Sequence, residues 1–388
     1  MNRGTSAPCY GGNSMPPHVL FVSKPVVAPF NDGSKCQVRD VAGALSSYVP
    51  RVMVTKDTDT WTPRVLAAKV YASKGSYRPA LVDNARVFLW LLVRSQESIW
   101  HFLFAPNRRT SQMGRLLRQI RGIPTVQTVA SPPRSFREPE RLLFGDVVVA
   151  QSHWTKNEFL RAFVDAGVRD HPPIEVIPPA VPDLEQPSTE RQEAARALLD
   201  VPETASLLLY PGDLEVSHGA QAVAKMVEPL LRAAPEAYVV FAYREKTPRA
   251  AECAQELQAQ LANKSVRFIA EVPDMHALLA ISRALLFPVD DLYGKVDLPI
   301  VILEAMQLGV PVVTIDRGPL ADLKGVLHVP AGDIDALVHT ALGATSDDSI
   351  RQTCIVAQRE AINRQHRPAQ VARLYEAIYD ELLGKPRR

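Results

Sequence analysis

Short runs of β-branched and aromatic residues recur along this chain, and stretches with helical periodicity separate them. In the first half the runs are HVLFVS (18–23), RVMVT (51–55), SIWHFLFA (98–105), TVQTVA (125–130), DVVVAQS (146–152) and IEVIPP (174–179). Strands that alternate with helices are typical of a parallel sheet covered by helices on both faces. The first half of the chain is therefore predicted to be a doubly wound α/β domain.

The same alternation starts again after PPAVPDLEQPSTE (178–190), a segment rich in proline and acids that is typical of a connection between domains. The later runs are SLLLYPGD (206–213), AYVVFAY (237–243), VRFIAEV (266–272), ALLFPV (284–289), PVVTID (311–316) and GVLHVP (325–330). Open α/β sheets bind ligands at the carboxyl ends of their strands. We therefore predict two Rossmann-like domains that face each other across a ligand-binding cleft.

The linker also predicts the domain boundaries. We expect an N-terminal domain over residues 17–182 and a C-terminal domain over residues 183–366. Residues 1–16 are rich in Gly, Ser, Asn and Pro and lack the charged-then-apolar plan of a signal peptide, so they are interpreted as a flexible lead-in. The closing segment, 367–388, is amphipathic and has no strand after it. It is expected to cross back to the first domain.

Composition limits the partners and the compartment. With 44 basic and 42 acidic side chains the net charge is +2, so no overall field favours nucleic acid. The 4 cysteines, at positions 9, 36, 253 and 354, are too far apart for a metal motif or a disulfide framework, which fits a reducing compartment. The longest apolar run, residues 85–93 with one Arg in it, is far shorter than the ~20 residues that span a bilayer. A cytoplasmic location is expected.

One acid, Glu304, lies inside an apolar helix that is predicted to begin near Pro299. A helix that is apolar all round is buried, and a buried carboxylate needs partners or a raised pKa. Glu304 is therefore either a structural acid tied to nearby backbone or a group whose partner is a ligand. Asp297 also has two interpretations, the N-cap of this helix or a contact with the same ligand.

The segment LPIVILEAMQLGVPVVTID (298–316) resembles the signature of the GT-B glycosyltransferases of the large retaining family 4. The resemblance extends to YPGDLEVSHGA (210–220), to VRFIAEV with the following PDMHALLAISRALLFP, and to DVVVAQSHWTKNEFLRAFVDAGV, and covers most of residues 98–345. It implies the GT-B fold and sugar transfer from a nucleotide-diphosphate sugar with retention of configuration. It also implies that the donor is a substrate and that no cofactor or metal is needed. The C-terminal half would bind the donor and the N-terminal half the acceptor.

The resemblance also implies residue roles. Glu304 would take both ribose hydroxyls of the donor nucleotide, since two carboxylate oxygens suit two adjacent O–H donors. His101 would orient the donor sugar, although a lone His on an apolar strand is otherwise a satisfied core residue. Asp297, if it is not the N-cap of the helix, would bind a sugar hydroxyl. The other residues expected at the donor are Leu298, Pro299, Gly212, Asp213, His218, Gly33 and Val272.

The chain departs from the family pattern at three charged positions. Val296 stands where the family has a first Glu, eight positions before Glu304. Asp213 replaces an Arg and His218 replaces a Lys, so two cations that neutralise the diphosphate are missing. We expect Lys295 to supply the displaced charge in the catalytic site, together with Asp297 and His101 and assisted by His218 when it is protonated. A solvated loop position is the alternative for Lys295.

The expected partners are a nucleotide sugar and an acceptor that is a glycan, lipid-linked or a small molecule. Arg115, Arg118 and Arg121 fall on neighbouring positions of a predicted helix. They form either a solvated face or a peripheral contact with anionic membrane lipid. Asp57 and Asp59 spell a metal-binding Asp-x-Asp, but no further ligand accompanies them and a turn is the preferred interpretation.

Three other functions compete with the transferase. A catalytically impaired GT-B protein that acts as a partner subunit would explain the missing charges. A sugar-nucleotide epimerase has the same two-domain architecture. A nicotinamide dehydrogenase is disfavoured because no Gly-x-Gly-x-x-Gly follows any of the predicted strands.

Overall fold

A computed structural model describes residues 16–30, 32–72, 80–245, 247–262 and 264–384. All but the last residue of the expected lead-in, 1–16, lies outside these ranges, as does the end of the closing segment, 385–388.

The N-terminal domain is built on a seven-stranded parallel sheet in the order β3-β2-β1-β4-β5-β6-β7. Its strands are β1 (His18–Val22), β2 (Val49–Thr55), β3 (Leu66–Tyr71), β4 (Ile99–Phe104), β5 (Thr125–Val129), β6 (Val147–Ala150) and β7 (Ile174–Val176). Its helices are α1 (Gly33–Ala44), α2 (Leu81–Val93), α3 (Arg108–Arg121), α4 (Pro139–Leu142) and α5 (His153–Asp165). The apolar runs of the sequence are these strands, because helices cover both faces of the sheet.

The C-terminal domain repeats the plan with a six-stranded parallel sheet in the order β10-β9-β8-β11-β12-β13. Its strands are β8 (Ser206–Pro211), β9 (Ala237–Tyr243), β10 (Val266–Ala270), β11 (Ala284–Phe287), β12 (Val312–Ile315) and β13 (Leu327–Val329). Its helices are α6 (Thr189–Leu199), α7 (Gly219–Ala233), α8 (Arg249–Gln260), α9 (Met275–Ala280), α10 (Ile300–Leu308), α11 (Ile334–Ser346) and α12 (Asp348–Gln365), with a 3₁₀ helix at Gly318–Asp322. The predicted fold class, two doubly wound Rossmann-like domains, is confirmed.

Polar caps fix where several helices begin. The side chains of Asp32, Asn107, Ser152, Asp274 and Asp333 each accept a hydrogen bond from a backbone N–H in the first turn of the helix that follows. Replacing such a cap by Ala costs about 1 kcal/mol. The caps define helix starts at the carboxyl ends of strands, which is the edge where open sheets bind ligands.

The closing helix α13 (Pro368–Leu382) lies against the N-terminal domain. Its Tyr375 and Tyr379 are buried in the core between that sheet and α1. Glu376 accepts hydrogen bonds from the backbone N–H groups of Ser46 and Ser47 at 2.6 and 2.7 Å. The chain thus ends by bracing the domain in which it began.

The two domains meet at the loop that joins β11 to α10, residues 288–299, which we call the seam loop. The guanidinium of Arg134, from the N-terminal domain, lies 4.3 Å from the ring centre of Tyr293 in this loop. A second contact joins the start of α5 to the 3₁₀ helix, where the backbone N–H of Trp154 donates to the carboxylate of Asp322 at 2.9 Å.

None of the helices in the described ranges is long and apolar enough to span a bilayer.

Candidate functional site

Helix α10 holds the acid that the sequence singled out. Pro299 precedes its first residue in an extended conformation, and Gly309 ends it with a φ of 76°, a value that favours glycine. Most of the helix is buried in the C-terminal core, but the Glu304 side chain retains 16% exposure. Pro299 and Leu298 are themselves buried, so they shape the entry to the helix. The predicted helix start near Pro299 agrees with this geometry.

Among the described residues Glu304 has one hydrogen-bonding partner, which the sequence did not predict. His276, in the first turn of α9, places Nε2 3.3 Å from Oε1 of Glu304. This hydrogen bond raises the pKa of His276, against the opposing effect of burial. No described residue donates to the other oxygen, Oε2. Glu304 also affects the pKa values of Cys36, Arg39 and Asp40 in α1, so its carboxylate lies near the opposite domain.

Lys295, in the seam loop, is paired with Asp213. The Nζ of Lys295 contacts Oδ2 of Asp213, and the two side chains are 9% and 1% exposed. Oδ1 of Asp213 accepts hydrogen bonds from the backbone N–H groups of Val216 and Ser217, both at 3.0 Å. Lys295 is therefore neither a solvated loop residue nor a spare cation for a phosphate, because its charge is neutralised within the protein.

A folded-back tyrosine explains two glycines near this pair. A Cβ on Gly212 would lie 2.3 Å from the hydroxyl oxygen of Tyr210, and one on Gly219 would lie 2.7 Å from Val289. The Tyr210 hydroxyl donates to the backbone carbonyl of Asp213 at 2.8 Å. Gly212 and Gly219 thus let the chain turn tightly around the ring at the start of α7.

His218 lies immediately before α7, at the carboxyl edge of the sheet. Its φ of 54° is in the left-handed region, and its side chain is 70% exposed. Nδ1 of His218 is 3.1 Å from Oδ1 of Asp290 in the seam loop. The first N–H groups of this 15-residue helix face the same edge, where a helix favours anions. His218 is therefore the sequence-predicted donor residue with the greatest access to a ligand among those described.

Asp297 connects the two domains and is neither the N-cap of α10 nor open to a sugar hydroxyl. Its side chain is fully buried and accepts hydrogen bonds from Ser152 and Thr155 at the start of α5, both at 2.7 Å. Its backbone N–H donates to the carbonyl of Ala130 at 3.0 Å. Burial raises the pKa of Asp297 to about 7, against these hydrogen bonds. Since Pro299 occupies the N-cap position of α10 and no face of Asp297 is open, the N-cap and sugar-ligand interpretations are both replaced.

Gly33 opens α1 against the seam loop. A Cβ on Gly33 would lie 3.0 Å from Val296 and 3.5 Å from Ile300, so a larger residue would press on the start of α10. Val296, which stands where the family pattern has an acid, is thus an apolar contact between domains. Gly33 brings the N-terminus of a 12-residue helix to the cleft.

Three cations that the sequence did not predict for the site lie around this helix start. Burial lowers the pKa of Lys35, and the nearby Lys24 and Arg244 lower it further while Asp32 opposes them. Arg244 follows β9 in the C-terminal domain, so charge from both domains acts on Lys35. Lys24 itself forms a 3.2 Å ion pair with Asp32. The cleft therefore carries positive charge at Lys35 and Arg244, in addition to Lys295, whose charge is paired with Asp213.

His101 is a core residue in the described structure. It lies in the middle of β4, not at its end, and is fully buried. Its Nδ1 is 2.7 Å from the Tyr379 hydroxyl and its Nε2 is 2.7 Å from the Thr128 hydroxyl. Burial lowers the pKa of the ring to about 3, so it is neutral. With both nitrogens engaged, His101 has no group left to orient a sugar, which corrects that expectation.

Val272 and the three arginines complete the predicted set. Val272 follows β10 at the carboxyl edge and packs partly against the core of its domain.

The guanidinium groups of Arg115, Arg118 and Arg121 turn back to donate to backbone carbonyls of neighbouring loops. Arg115 and Arg118 also line a cavity of about 820 Å³ next to Asp146, at the amino ends of the strands and away from the cleft. These three arginines therefore hold the domain together instead of forming a free cationic face.

Among known proteins, a family model matches one of the two domains. The model of the family described as glycosyl transferases group 1 matches residues 205–347, in the C-terminal domain. A search of curated proteins finds no match.

Solved structures resemble the chain over nearly all its length. HepE (Alr3699) from Anabaena, crystallised with UDP and glucose, has a TM-score of 0.67 at 15% identity and covers 95% of this chain and 100% of its own. A glycosyltransferase from Rickettsia africae has a TM-score of 0.72 at 17% identity, with 96% and 100% covered. Sucrose-phosphate synthase from Thermosynechococcus elongatus has a TM-score of 0.72 at 18% identity, with 95% and 99% covered. The chain thus has the fold of the GT-B glycosyltransferases, and its C-terminal domain matches the group 1 family model.

Proposed function

We propose that the protein is a glycosyltransferase that takes its sugar from a nucleotide-diphosphate donor. The observation that carries the proposal is the Glu304 carboxylate, held at one oxygen by His276 while the other has no donor among the described residues. Two adjacent ribose hydroxyls are suited to such a group, because a carboxylate accepts at both oxygens. The match of this domain to the group 1 family model supports the same function, and HepE, a protein of the same fold, was crystallised with UDP-glucose.

The donor diphosphate would lie at the starts of α7 and α1. Backbone N–H groups at helix N-termini bind anions, and positioned cations stabilise a phosphate leaving group. We assign the cationic role to Lys35 and Arg244, since the Lys295 charge is matched by Asp213. His218, exposed at the start of α7, would add a hydrogen-bond donor.

The acceptor would bind to the N-terminal domain. We further propose membership of family 4, retention of configuration and independence of metal ions, all of which follow from the family resemblance. Product stereochemistry by NMR tests retention. Assays with and without a chelator test metal independence, and activity lost to the chelator and restored by a divalent cation contradicts it.

A thermal-shift panel of nucleoside diphosphates and their sugars tests donor binding. A ligand that binds only the folded state raises the melting temperature, so one base should stand out. With that donor, the Lys35→Gln and Arg244→Gln variants should each lower kcat by about 10- to 100-fold, by loss of stabilisation of the leaving group. Lys324→Gln, on an exposed residue of the C-terminal domain, is the matched control and should leave kcat unchanged.

A second function is favoured by one observation. The buried Lys295–Asp213 pair replaces charges that would face a diphosphate, as expected of a subunit that binds nucleotide but has lost turnover. Nucleotide binding with no release of nucleoside diphosphate, with or without acceptor, would support this reading over the transferase. Formation of an epimeric sugar nucleotide would point to an epimerase, and no response to any nucleotide would overturn the main proposal.

A further inference from the structure

Helices α2 and α3 share an unusual outer surface in the N-terminal domain. Six apolar side chains there are between 41% and 72% exposed, namely Val82, Leu89, Val93, Met113, Leu116 and Ile120. The inner faces of the two helices are satisfied separately, since Leu91 and Leu117 are buried against the sheet. The exposed residues are therefore not needed for the core, and a contiguous apolar patch on a protein surface marks an interaction site.

The exposed residues follow the same spacing in both helices. In α2 they are Val82, Arg86, Leu89 and Val93, and in α3 they are Arg109, Met113, Leu116 and Ile120. Steps of four, three and four residues keep each set within an arc of about 60° on an α-helix. We call these eight residues the outer stripe. Each helix contributes three apolar side chains and one arginine to it.

The two halves of the outer stripe lie side by side. Helices α2 and α3 cover the same face of the sheet and contact each other. Arg121, at the end of α3, donates to the carbonyls of Leu91 at 3.0 Å and of Ser95 at 2.6 Å, which fixes the end of α2 against α3. The two halves of the stripe are thus carried on a pair of helices that pack against each other.

The exposed charge of α2 and α3 is positive. Residues 80–122 contain seven arginines and two acids. Arg108 and Arg118 are paired with Glu138 and Asp146 outside this segment, whereas Arg94 and Arg109 are exposed. Both acids are buried and paired: Asp83 with Arg86, and Glu97 with Arg51. No acid of this segment therefore faces outward.

We propose that the outer stripe docks the protein on the surface of an anionic lipid bilayer. Apolar side chains of such a helix enter the boundary between headgroups and acyl chains, while arginines extend their charge to the headgroup phosphates. A second copy of the chain fits less well. A twofold contact through this face would bring the arginines of both copies together with no acid of residues 80–122 between them. The proposal does not depend on the sugar donor or on turnover.

Co-sedimentation of the full chain with vesicles tests the proposal. The protein should pellet with vesicles of phosphatidylcholine and phosphatidylglycerol and far less with phosphatidylcholine alone. Leu89→Ser combined with Ile120→Ser should weaken binding by about tenfold or more, because two inserted side chains are lost. Val356→Ser, on a side chain 65% exposed in the other domain, is the matched control and should bind like wild type.

Charge is tested separately. Arg109→Gln should weaken binding to the anionic vesicles by about fivefold, the effect of one basic residue near such a surface, and added salt should weaken it as well. Equal melting temperatures across the variants show that folding is intact. No pelleting of wild type, equal binding to neutral vesicles, or an unchanged double variant would overturn the proposal. So would a dimer in light scattering that the double variant abolishes, since that assigns the stripe to a second copy.

Discussion

The seam loop and the helix that follows it both carry charged side chains that are largely buried, but the partners of these charges differ. In the seam loop, Lys295 is paired with Asp213 and Asp297 with two hydroxyls of α5. In α10, Glu304 is held at one oxygen by His276, and its carboxylate keeps some exposure near the other domain. A buried charge is therefore not by itself evidence of a ligand site. What distinguishes the two regions is whether the partners of the charge are already in the protein.

The position of each segment explains this difference. The seam loop reaches the N-terminal domain, where hydroxyls and a backbone carbonyl are within hydrogen-bond distance of Asp297. Glu304 lies one helical turn inside α10, near α1. In the part of the chain that the structure describes, only the short helix α9 offers it a donor. A site for a ligand remains where the two domains approach each other without completing the hydrogen bonds.

The largest effect on stability is expected from a substitution at Lys295. Lys295→Met leaves the Asp213 charge buried without its cation and should lower the free energy of unfolding by about 3–5 kcal/mol, as measured by urea denaturation. The matched control is Lys295→Met together with Asp213→Asn, which removes both charges and should recover most of the loss. A single variant within about 1 kcal/mol of wild type would show that the pair is solvated, as exposed pairs are.

Asp297 should make stability depend on pH. Its pKa is about 7 in the folded state and about 3.9 in the unfolded chain. Between these values the folded state holds a proton that the unfolded state has lost. Stability from this group is therefore full below pH ~4 and falls as the pH rises through 7, by at most about 4 kcal/mol. Urea midpoints at several pH values measure this.

The matched variant for this effect is Asp297→Asn. It keeps a neutral side chain with an acceptor at every pH, so the decline between pH ~4 and 7 should be absent and the variant should exceed wild type above pH 7. Identical pH profiles for the two proteins would mean that Asp297 is ionised in the fold, and the seam would then be an open polar site.

A smaller loss of stability is expected from a substitution at His101, in the core of the N-terminal domain. His101→Phe keeps an aromatic ring but removes the hydrogen bonds of the imidazole to the hydroxyls of Tyr379 and Thr128, of which Thr128 keeps a contact with Tyr375. Stability should fall by about 1–3 kcal/mol. Turnover, assayed well below the melting temperature, should change little because the ring does not reach the cleft. Unchanged stability with lost activity would restore His101 to the active site.

The smallest effect is expected at His276. His276→Ala removes the partner of Oε1 and should weaken nucleotide binding by no more than about fivefold, since partly exposed pairs contribute little. Because Glu304 raises the pKa of His276, this contribution is present at low pH and is lost as the pH rises through that pKa. Binding to the variant should therefore be less dependent on pH. A loss greater than the one caused by Glu304→Gln would make His276 itself the principal nucleotide ligand.

The sequence predicted the parts that depend on local pattern. The strand and helix alternation predicted both doubly wound domains, and the apolar run around Glu304 predicted a buried helix that begins near Pro299. Gly212 was selected by resemblance, and the structure supplies the reason, since the Tyr210 ring occupies the space of a Cβ.

The parts that were missed depend on contacts between distant segments. The partners of Asp297 come from the other domain, and His276 reaches Glu304 from a separate short helix, so no spacing in the sequence reveals either. The arginines of α3 follow helical periodicity, but whether they face solvent or neighbouring carbonyls depends on loops that approach them in the fold. His101 was misplaced because a strand pattern does not show that α13 covers that strand with tyrosines.

Calorimetric titration with a ribonucleoside diphosphate and its 2′,3′-dideoxy counterpart tests the central claim most directly, because it isolates the two ribose hydroxyls. Wild type should bind the ribose form about 10- to 100-fold more tightly, the effect of hydrogen bonds to a charged acceptor. The Glu304→Gln variant should lose most of that preference while binding the dideoxy form as wild type does. Equal affinity of wild type for both nucleotides, or an undiminished preference in the variant, would contradict the assignment of Glu304 to the ribose.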